Sequence, residues 1–198
     1  MVRFWLTLER FEAGELWLDR RTVRELQSDP TELEQKVADL FSLLRDPLYH
    51  YLYRLLNNRS EAEDVTQEAF LRLFTCLHQG QMIGNARAWV FRVAHNLAID
   101  QLRKKSHCES ALPENWDEIY VGNVASPPSA EQQLLKQEKL RRINQVLKRL
   151  SPQEMHCLNL RASGLSYREI AEALDVSAAS VATFLSRGIK KITRAINE

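Results

Sequence analysis

The chain reads as all-α: two small helical domains joined by an acidic, proline-containing linker, with a helix-turn-helix in the C-terminal domain. Three observations predict this. Apolar residues recur with a helical period on both sides of the linker, and no convincing alternating strand is present. Residues 106–133 break that periodicity with Pro113, Gly122, Pro127 and Pro128, and Pro127-Pro128 cannot continue a helix. The C-terminal stretch holds two short amphipathic segments around a tight turn, the second with a basic end. The resulting division is an N-terminal extension of unassigned role at 1–30, a helical domain at 31–105, the linker at 106–133 and the helix-turn-helix domain at 134–198.

Within the extension, Phe4, Trp5, Leu8, Phe11, Leu16, Trp17 and Leu18 supply enough apolar surface to pack, interrupted at Gly14, so one or two short helices are expected. Asp29-Pro30-Thr31-Glu32 reads as an N-cap, a proline at the first helical position and a first-turn acid. The amphipathic helix that follows (Leu33, Val37, Leu40, Phe41, Leu44) is expected to break or restart at Asp46-Pro47, ahead of Leu48, Leu52 and Leu55. Asn57-Asn58-Arg59 is a turn. Ser60-Glu61-Ala62-Glu63 reads as a capping box, opening a helix with Val65, Ala69, Phe70, Leu73 and Leu77 inward. His78 to Asn85, with Gly80 and Gly84, is a loop, and Ala86 to Lys105 is the next helix. Ser151-Pro152-Gln153-Glu154 opens another, with cap, proline and acid in register.

In the C-terminal unit, Ser166 with Glu169 three residues on is a capping box, and Ser177 is an N-cap candidate. Ile170, Ala171 and Leu174 share one face of the first helix; Val181, Leu185, Gly188 and Ile192 share one face of the second. Val176 is expected to plug the corner between them. Asp175 stands where the turn calls for a left-handed residue, which Asp tolerates better than most. The second helix of such a unit fits the DNA major groove. Arg187, Lys190, Lys191 and Arg194 gather at its far end, which a plain helical hairpin would not require.

Net charge over the 198 residues is +1, but it is sorted. Residues 1–50 carry seven basic and ten acidic side chains, residues 111–135 none and four, and residues 136–198 twelve and six. A concentrated basic segment favours a polyanionic partner. The three cysteines, Cys76, Cys108 and Cys157, make no disulfide framework and suit a reducing cytosol, so a cytoplasmic protein is expected. No apolar run is long enough to span a bilayer, and the N-terminus lacks the order of a signal peptide. His107-Cys108 and His156-Cys157 lack the spacing of a zinc site. With no Gly-rich phosphate loop and no nucleophile–base pair either, neither a metal, a cofactor nor catalysis by the chain itself is expected.

The 86–105 helix carries a second constellation. Val90, Val93, Ala94, Leu97 and Leu102 form a buried stripe, while Arg92, Asn96 and Arg103 fall on the opposite face. The helix ends in Arg103-Lys104-Lys105, where cations suit the negative end of its dipole. Arg87 and Trp89 stand near its start. Trp89 would stack on a base or wedge a duplex, with core packing the equal alternative. A third constellation lies in 60–72: Glu61, Asp64 and Glu68 share a face with Gln67 alongside. This reads as a protein-docking face, the plain alternative being a solvated acidic face.

These residues carry a resemblance. Glu63-Asp64-Val65-Thr66-Gln67-Glu68-Ala69-Phe70, then Ala88-Trp89-Val90-Phe91-Arg92-Val93-Ala94-His95-Asn96-Leu97-Ala98-Ile99-Asp100-Gln101-Leu102-Arg103, then the helix-turn-helix, resemble in order and spacing the bacterial RNA polymerase sigma factors of the extracytoplasmic-function (ECF) group. The resemblance covers residues 36–105 and 134–198.

What the resemblance implies is a subunit that binds RNA polymerase core and directs promoter-specific transcription initiation. Asp64, Gln67, Glu68 and Phe70, with Glu61 on the same face, match the surface that docks on the core's clamp. The 86–105 helix and the loop before it match the unit that melts and reads the minus-10 element, with Arg87, Trp89, Arg92, Asn96, Arg103, Lys104 and Lys105 as candidate contacts. The second helix of the helix-turn-helix matches the reader of the duplex minus-35 element, with Ser177, Ala179, Ser180, Ala182, Thr183, Ser186 and Arg187 as candidate contacts. Arg168, Lys190, Lys191 and Arg194 would anchor phosphates. The family usually carries a basic residue at Ala182 and Arg at Phe184; here base-edge reading falls to Thr183, Ser186 and Arg187, and Ala179 or Ala182 would touch thymine methyls. The acidic linker matches the connector threaded toward the polymerase active centre, and an anti-sigma factor is admitted as a further partner. The alternative reading is a stand-alone helix-turn-helix regulator binding duplex DNA as a dimer.

Overall fold

A computed structural model describes residues 17–28, 30–106, 145–147 and 149–197. The expected linker, Ser106 apart, and residues 1–16 lie outside these. The described chain runs through strand β1 (Trp17–Leu18), helices α1 (Arg20–Ser28), α2 (Pro30–Leu56) and α3 (Arg59–His78), strand β2 (Gly84–Asn85), and helices α4 (Ala86–Ser106), α5 (Pro152–Ala162), α6 (Tyr167–Leu174) and α7 (Ala178–Asn197).

Three helix boundaries test the local rules. The long N-terminal helix does not break at Pro47: α2 is continuous from Pro30 to Leu56. Proline removes one i→i−4 donor, but Leu40, Leu44, Leu48, Tyr51 and Leu52 form one buried stripe across it, none more than 3% exposed. That burial, about 1.5–3 kcal/mol per large side chain, outweighs a local penalty of about 3 kcal/mol. The start of α3 is capped by Asn58, not Ser60. Asn57 turns the chain at φ +49°, and Asn58, extended at φ −141°, presents its Oδ1 to the Glu61 N–H at 3.2 Å. Ser60 lies inside the helix. By contrast, Ser151 closes the expected capping box of α5, with Pro152 as its first residue.

The two-residue strands pair antiparallel, Trp17 opposite Asn85 and Leu18 opposite Gly84. A ladder this short has no period for a sequence pattern to reveal. Among its described residues the extension holds β1 and α1; the helix expected from Phe4 to Leu16 lies outside them.

One apolar core runs through both sequence segments. Leu48, Tyr51 and Leu52 of α2, Leu73 and Leu77 of α3, and Val90, Phe91 and Ala94 of α4 are continuous with Leu160 of α5, Leu165, and Ile170 of α6. α7 then packs across α5, where a Cβ on Gly188 would come within 2.8 Å of Leu158 Cδ1.

Candidate nucleic-acid interface

The helix-turn-helix is α6, the 175–177 turn and α7. Ser166 Oγ accepts from the Glu169 N–H at 3.3 Å while Glu169 Oε2 accepts from the Ser166 N–H at 2.7 Å. Asp175 ends α6 in the left-handed region at φ 54°, ψ 49°, and the Val176 N–H returns to the Ala171 carbonyl at 3.0 Å. Val176 itself does not plug the corner: it is 37% exposed, because the buried contacts are made by Ile170, Ala173, Val181 and Leu185. Ser177 caps α7, its Oγ accepting from the Ser180 N–H at 3.0 Å and sharing a 2.9 Å hydrogen bond with Ser180 Oγ.

This inner packing leaves the other face of α7 open. Ala179, Ala182, Thr183, Ser186, Arg187 and Lys190 are exposed there, as is Arg168 on α6. Thr183 Oγ1 already donates to the Ala179 carbonyl at 2.9 Å, so the hydroxyl offers lone pairs outward. Ser180 is half-buried. Lys191, expected on phosphate, is exposed but bound to Glu154 Oε2 of α5 at 2.7 Å. That hydrogen bond, followed by one from the Ser151 N–H, holds the Glu154 carboxyl below its ordinary value.

α4 is divided along its length. Asn85 Oδ1 caps its start by accepting from the Ala88 N–H at 3.0 Å. Toward the far end, Asn96, Arg103, Lys104 and Lys105 are exposed, with Arg103 near Asp100 at 3.9 Å. Arg92 is half-buried, and Trp89 is partly buried against the core. Ala86, Arg87 and Ala88 are buried.

What buries them is the C-terminal unit. The start of α4 packs on α6 and the turn before it. Arg87, 7% exposed, donates from Nη2 to the Ser163 carbonyl at 3.0 Å. Its Nε has no hydrogen-bond partner among the described residues. Burial lowers the guanidinium pKa, and the Glu169 carboxylate works against that shift. Asn85 Nδ2 reaches Glu169 Oε1 at 3.4 Å. Farther along α4, the Tyr51 hydroxyl and His95 Nδ1 share a 2.6 Å hydrogen bond. The His95 ring meets that of His156 on α5 edge-on, centroids 4.9 Å apart. Burial, then the neighbouring His156, pushes His95 down to about 4, and burial lowers His156 too. Burial also raises the Tyr51 hydroxyl and pushes the Cys157 thiol up to about 11. The cluster is neutral at pH 7.

Between α2 and α3 lies an open groove of about 720 Å³. Val37, Phe41, Phe70 and Phe74 line it, with Asp64, Gln67, Glu68 and Glu34 also on its walls. Phe41 and Phe70 meet edge-to-face at 4.9 Å, and Leu71 at its edge is 61% exposed. Of the expected docking residues, Asp64, Gln67, Glu68 and Phe70 come together here. Glu61 does not line the groove; it bonds Lys105 of α4.

Reasoning from sequence had no route to Ser163, Glu169, Tyr51, His95 and His156 as one contact. The bonds concerned join residues 44 to 84 apart, and no local period encodes such pairs.

The fold and sites together define a helical protein with a helix-turn-helix and, between α2 and α3, an open groove lined by aromatic and acidic side chains. The description "Sigma-70 region 2" matches residues 40–108 and "Sigma-70, region 4" matches residues 140–192, together more than half of the chain. The chain belongs to the sigma-70 family, in its extracytoplasmic-function group. It is similar to the ECF RNA polymerase sigma factor SigW of Bacillus subtilis, 29% identical over 81% of this chain and 89% of that one. It is 32% identical to SigE of Mycolicibacterium smegmatis over 74% of this chain and 56% of the other. Among solved structures, the sigma factor RpoE of Bartonella quintana, in complex with the anti-sigma factor NepR, shares the fold with a TM-score of 0.55. It is 21% identical and covers 81% of this chain and 96% of its own. The two-region match does not favour the stand-alone regulator.

Proposed function

We propose that this sigma factor, which binds RNA polymerase core and directs promoter-specific initiation, divides its work among three surfaces. The α2–α3 groove docks on the clamp: its apolar lining offers burial, and Asp64 and Glu68 select a basic partner. The basic α4 helix, with the loop before it, melts and reads the minus-10 element through Trp89, Arg92, Asn96, Arg103, Lys104 and Lys105, with Arg87 joining once uncovered. The exposed face of α7 reads the minus-35 duplex through Thr183, Ser186 and Arg187, with Arg168 and Lys190 on phosphates. In this reading residues 31–105 and 134–198 are the working domains and 106–133 the connector.

The observation that carries the proposal is the joint geometry of groove and cations. Asp64, Gln67, Glu68 and Phe70 converge on one apolar groove, while the cations of α4 and α7 stand outside it. Since sigma factors supply specificity and core supplies the chemistry, we read the chain as non-catalytic. We also infer a cytoplasmic protein, because core polymerase and chromosome are there; no helix among the described residues is long and apolar enough to cross a membrane. An anti-sigma factor is proposed as a regulatory partner, by analogy with the complex of the structural relative.

The test is transcription in vitro over a genomic-fragment library, with core polymerase and with or without the chain. Discrete start sites appearing only with the chain are expected. Asp64→Lys should weaken core binding at least about tenfold, since like charges across an interface cost several kcal/mol, and leave α7 contacts with a minus-35 duplex intact. Normal core affinity in that variant would remove the groove from the docking surface.

A further inference from the structure

The loop between α3 and β2 is held at both ends, and one of the two holds comes from outside the promoter-reading domain. At its start, the Gly80 N–H bonds the Leu77 carbonyl at 3.0 Å and the Gln81 N–H bonds the Cys76 carbonyl at 2.9 Å, which fastens the loop to the last turn of α3. At its end, β1 pairs with Gly84 and Asn85. Between these points Ile83 turns inward, 7% exposed, and Met82 outward, 56% exposed. Arg20 Nε lies 2.9 Å from Met82 Sδ.

β1 is itself anchored. Leu18 is wholly buried. Asp19 Oδ1 accepts from the Thr22 N–H at 2.8 Å and from Thr22 Oγ1 at 2.9 Å, which fixes the start of α1 directly behind the strand. α1 then seats Val23 and Leu26 in the core, 2% and 8% exposed. The strand is therefore the end of a short lever fixed to the domain body.

Its partner strand sits at a sensitive place. Gly84 is at φ +68°, a region few other residues adopt readily. Without β1, the backbone groups of Gly84 and Asn85 lose their ladder partners, and a loop with left-handed glycines at 80 and 84 gains conformations. Asn85 is also the residue whose Oδ1 caps α4. Any drift of β2 is thus passed both to the loop and to the first turn of the helix carrying Trp89 and Arg92. Discrimination by hydrogen bonds depends on donor and acceptor positions held within a few tenths of an ångström, so a loop that samples several shapes reads several bases.

We infer that residues 17–28 are a specificity-determining element: β1 splints the 79–85 loop and thereby narrows the base preference of the minus-10 element. This rests on the proposed role of α4 and its loop in minus-10 reading. The residues of the extension act by positioning, and none is assigned a contact with DNA.

The experiment is transcription in vitro by core polymerase with the full chain, over promoters randomised through the minus-10 and minus-35 elements. Four chains are compared: unaltered, Leu18→Ala, Asp19→Ala and Met82→Ala. Leu18→Ala removes the strand's buried anchor. Asp19→Ala loosens the same lever from an exposed position, so it keeps the test alive if the first variant folds poorly, which a melting curve shows. Both should relax discrimination at one or more minus-10 positions by at least about fivefold, the lower range of what one base contact contributes. Asp19→Ala should show the smaller loss, and minus-35 preferences should stay unchanged in both. Met82→Ala, in the loop itself, should change the minus-10 profile directly. If Met82→Ala alters that profile while both β1 variants keep it within twofold of the unaltered chain, the loop reads without its splint and the inference is overturned. If all three leave the minus-10 profile unchanged, the assignment of the loop to minus-10 reading falls first, and the inference with it.

Discussion

The two proposed DNA-reading helices are in opposite states. On α7 the candidate base-reading residues Thr183, Ser186 and Arg187 are all exposed. On α4 the first turn is buried beneath α6, with Arg87 bonded to Ser163 and Asn85 to Glu169. The difference follows from what each helix packs with. α7 turns only one side, through Val181, Leu185 and Gly188, toward α5 and α6. α4 faces α2 and α3 on one side and α6 on another, and its start is enclosed. The surface proposed to read duplex DNA is thus open in the free chain, while the surface proposed to meet a melted strand is covered at its start, where Arg87 lies, and open farther along at Asn96, Arg103, Lys104 and Lys105. The closing contact is also imperfectly satisfied: the Arg87 Nε is buried without a hydrogen-bond partner among the described residues, and a buried cation so held costs free energy. That makes separation by a tighter-binding partner easier than the buried area alone suggests.

The largest effect expected is on the open face. Arg187→Ala should weaken specific promoter use by about 1–3 kcal/mol if the side chain reaches a base edge, with the melting curve of the free chain unchanged. An unaltered promoter profile would remove Arg187 from the reading surface.

Next comes acid. A histidine whose folded pKa lies below its unfolded value contributes fully above the unfolded value and loses that contribution as pH falls toward the folded one. For His95 the window runs from 6.5 down to about 4. Stability should be flat above pH 7 and fall by about 2 kcal/mol by pH 5, with His156 adding to the slope in the same direction. Urea denaturation across this range measures it. His95→Gln should flatten the slope, and an unchanged slope in that variant would remove the Tyr51–His95–His156 cluster as its source.

A smaller and opposite effect is expected at the covered start of α4. Arg87→Met replaces a buried, incompletely bonded cation with an apolar chain and should stabilise the closed form by about 1 kcal/mol. Its melting midpoint should rise while its minus-10 usage falls. A lowered midpoint would mean that the guanidinium is better satisfied than its geometry indicates. The smallest change belongs to Ser166→Ala, which unmakes one capping box and should cost about 1 kcal/mol or less. Its effect should appear in the exchange of the α6 amides before those of α2 and α3.

Sequence and structure agree where one local rule decides the outcome. Ser151, Ser166 and Asp175 take the caps and the left-handed turn their chemistry favours, and Asp64, Gln67, Glu68 and Phe70 fall on one groove because their spacing is helical. They part where a local rule competes with burial. Pro47 is a helix breaker overruled by the buried stripe on both sides of it. Ser60 loses the cap to Asn58 because Asn57 turns the chain earlier. Val176 is apolar yet exposed, since the corner is already filled. What was illegible was long-range: the strand at 17–18 finds its partner at 84–85, and Arg87, expected among the minus-10 contacts, is bonded in this structure to the turn before α6.

The most direct test of this two-state account is the affinity of the free chain, and of the chain bound to core polymerase, for the separated elements of one mapped promoter. The minus-35 duplex and the minus-10 single strand would be titrated in turn by fluorescence anisotropy. The free chain should bind the minus-35 duplex but not the minus-10 strand, and the polymerase-bound chain should use both. A free chain that binds the minus-10 strand as tightly as the polymerase complex does would contradict it.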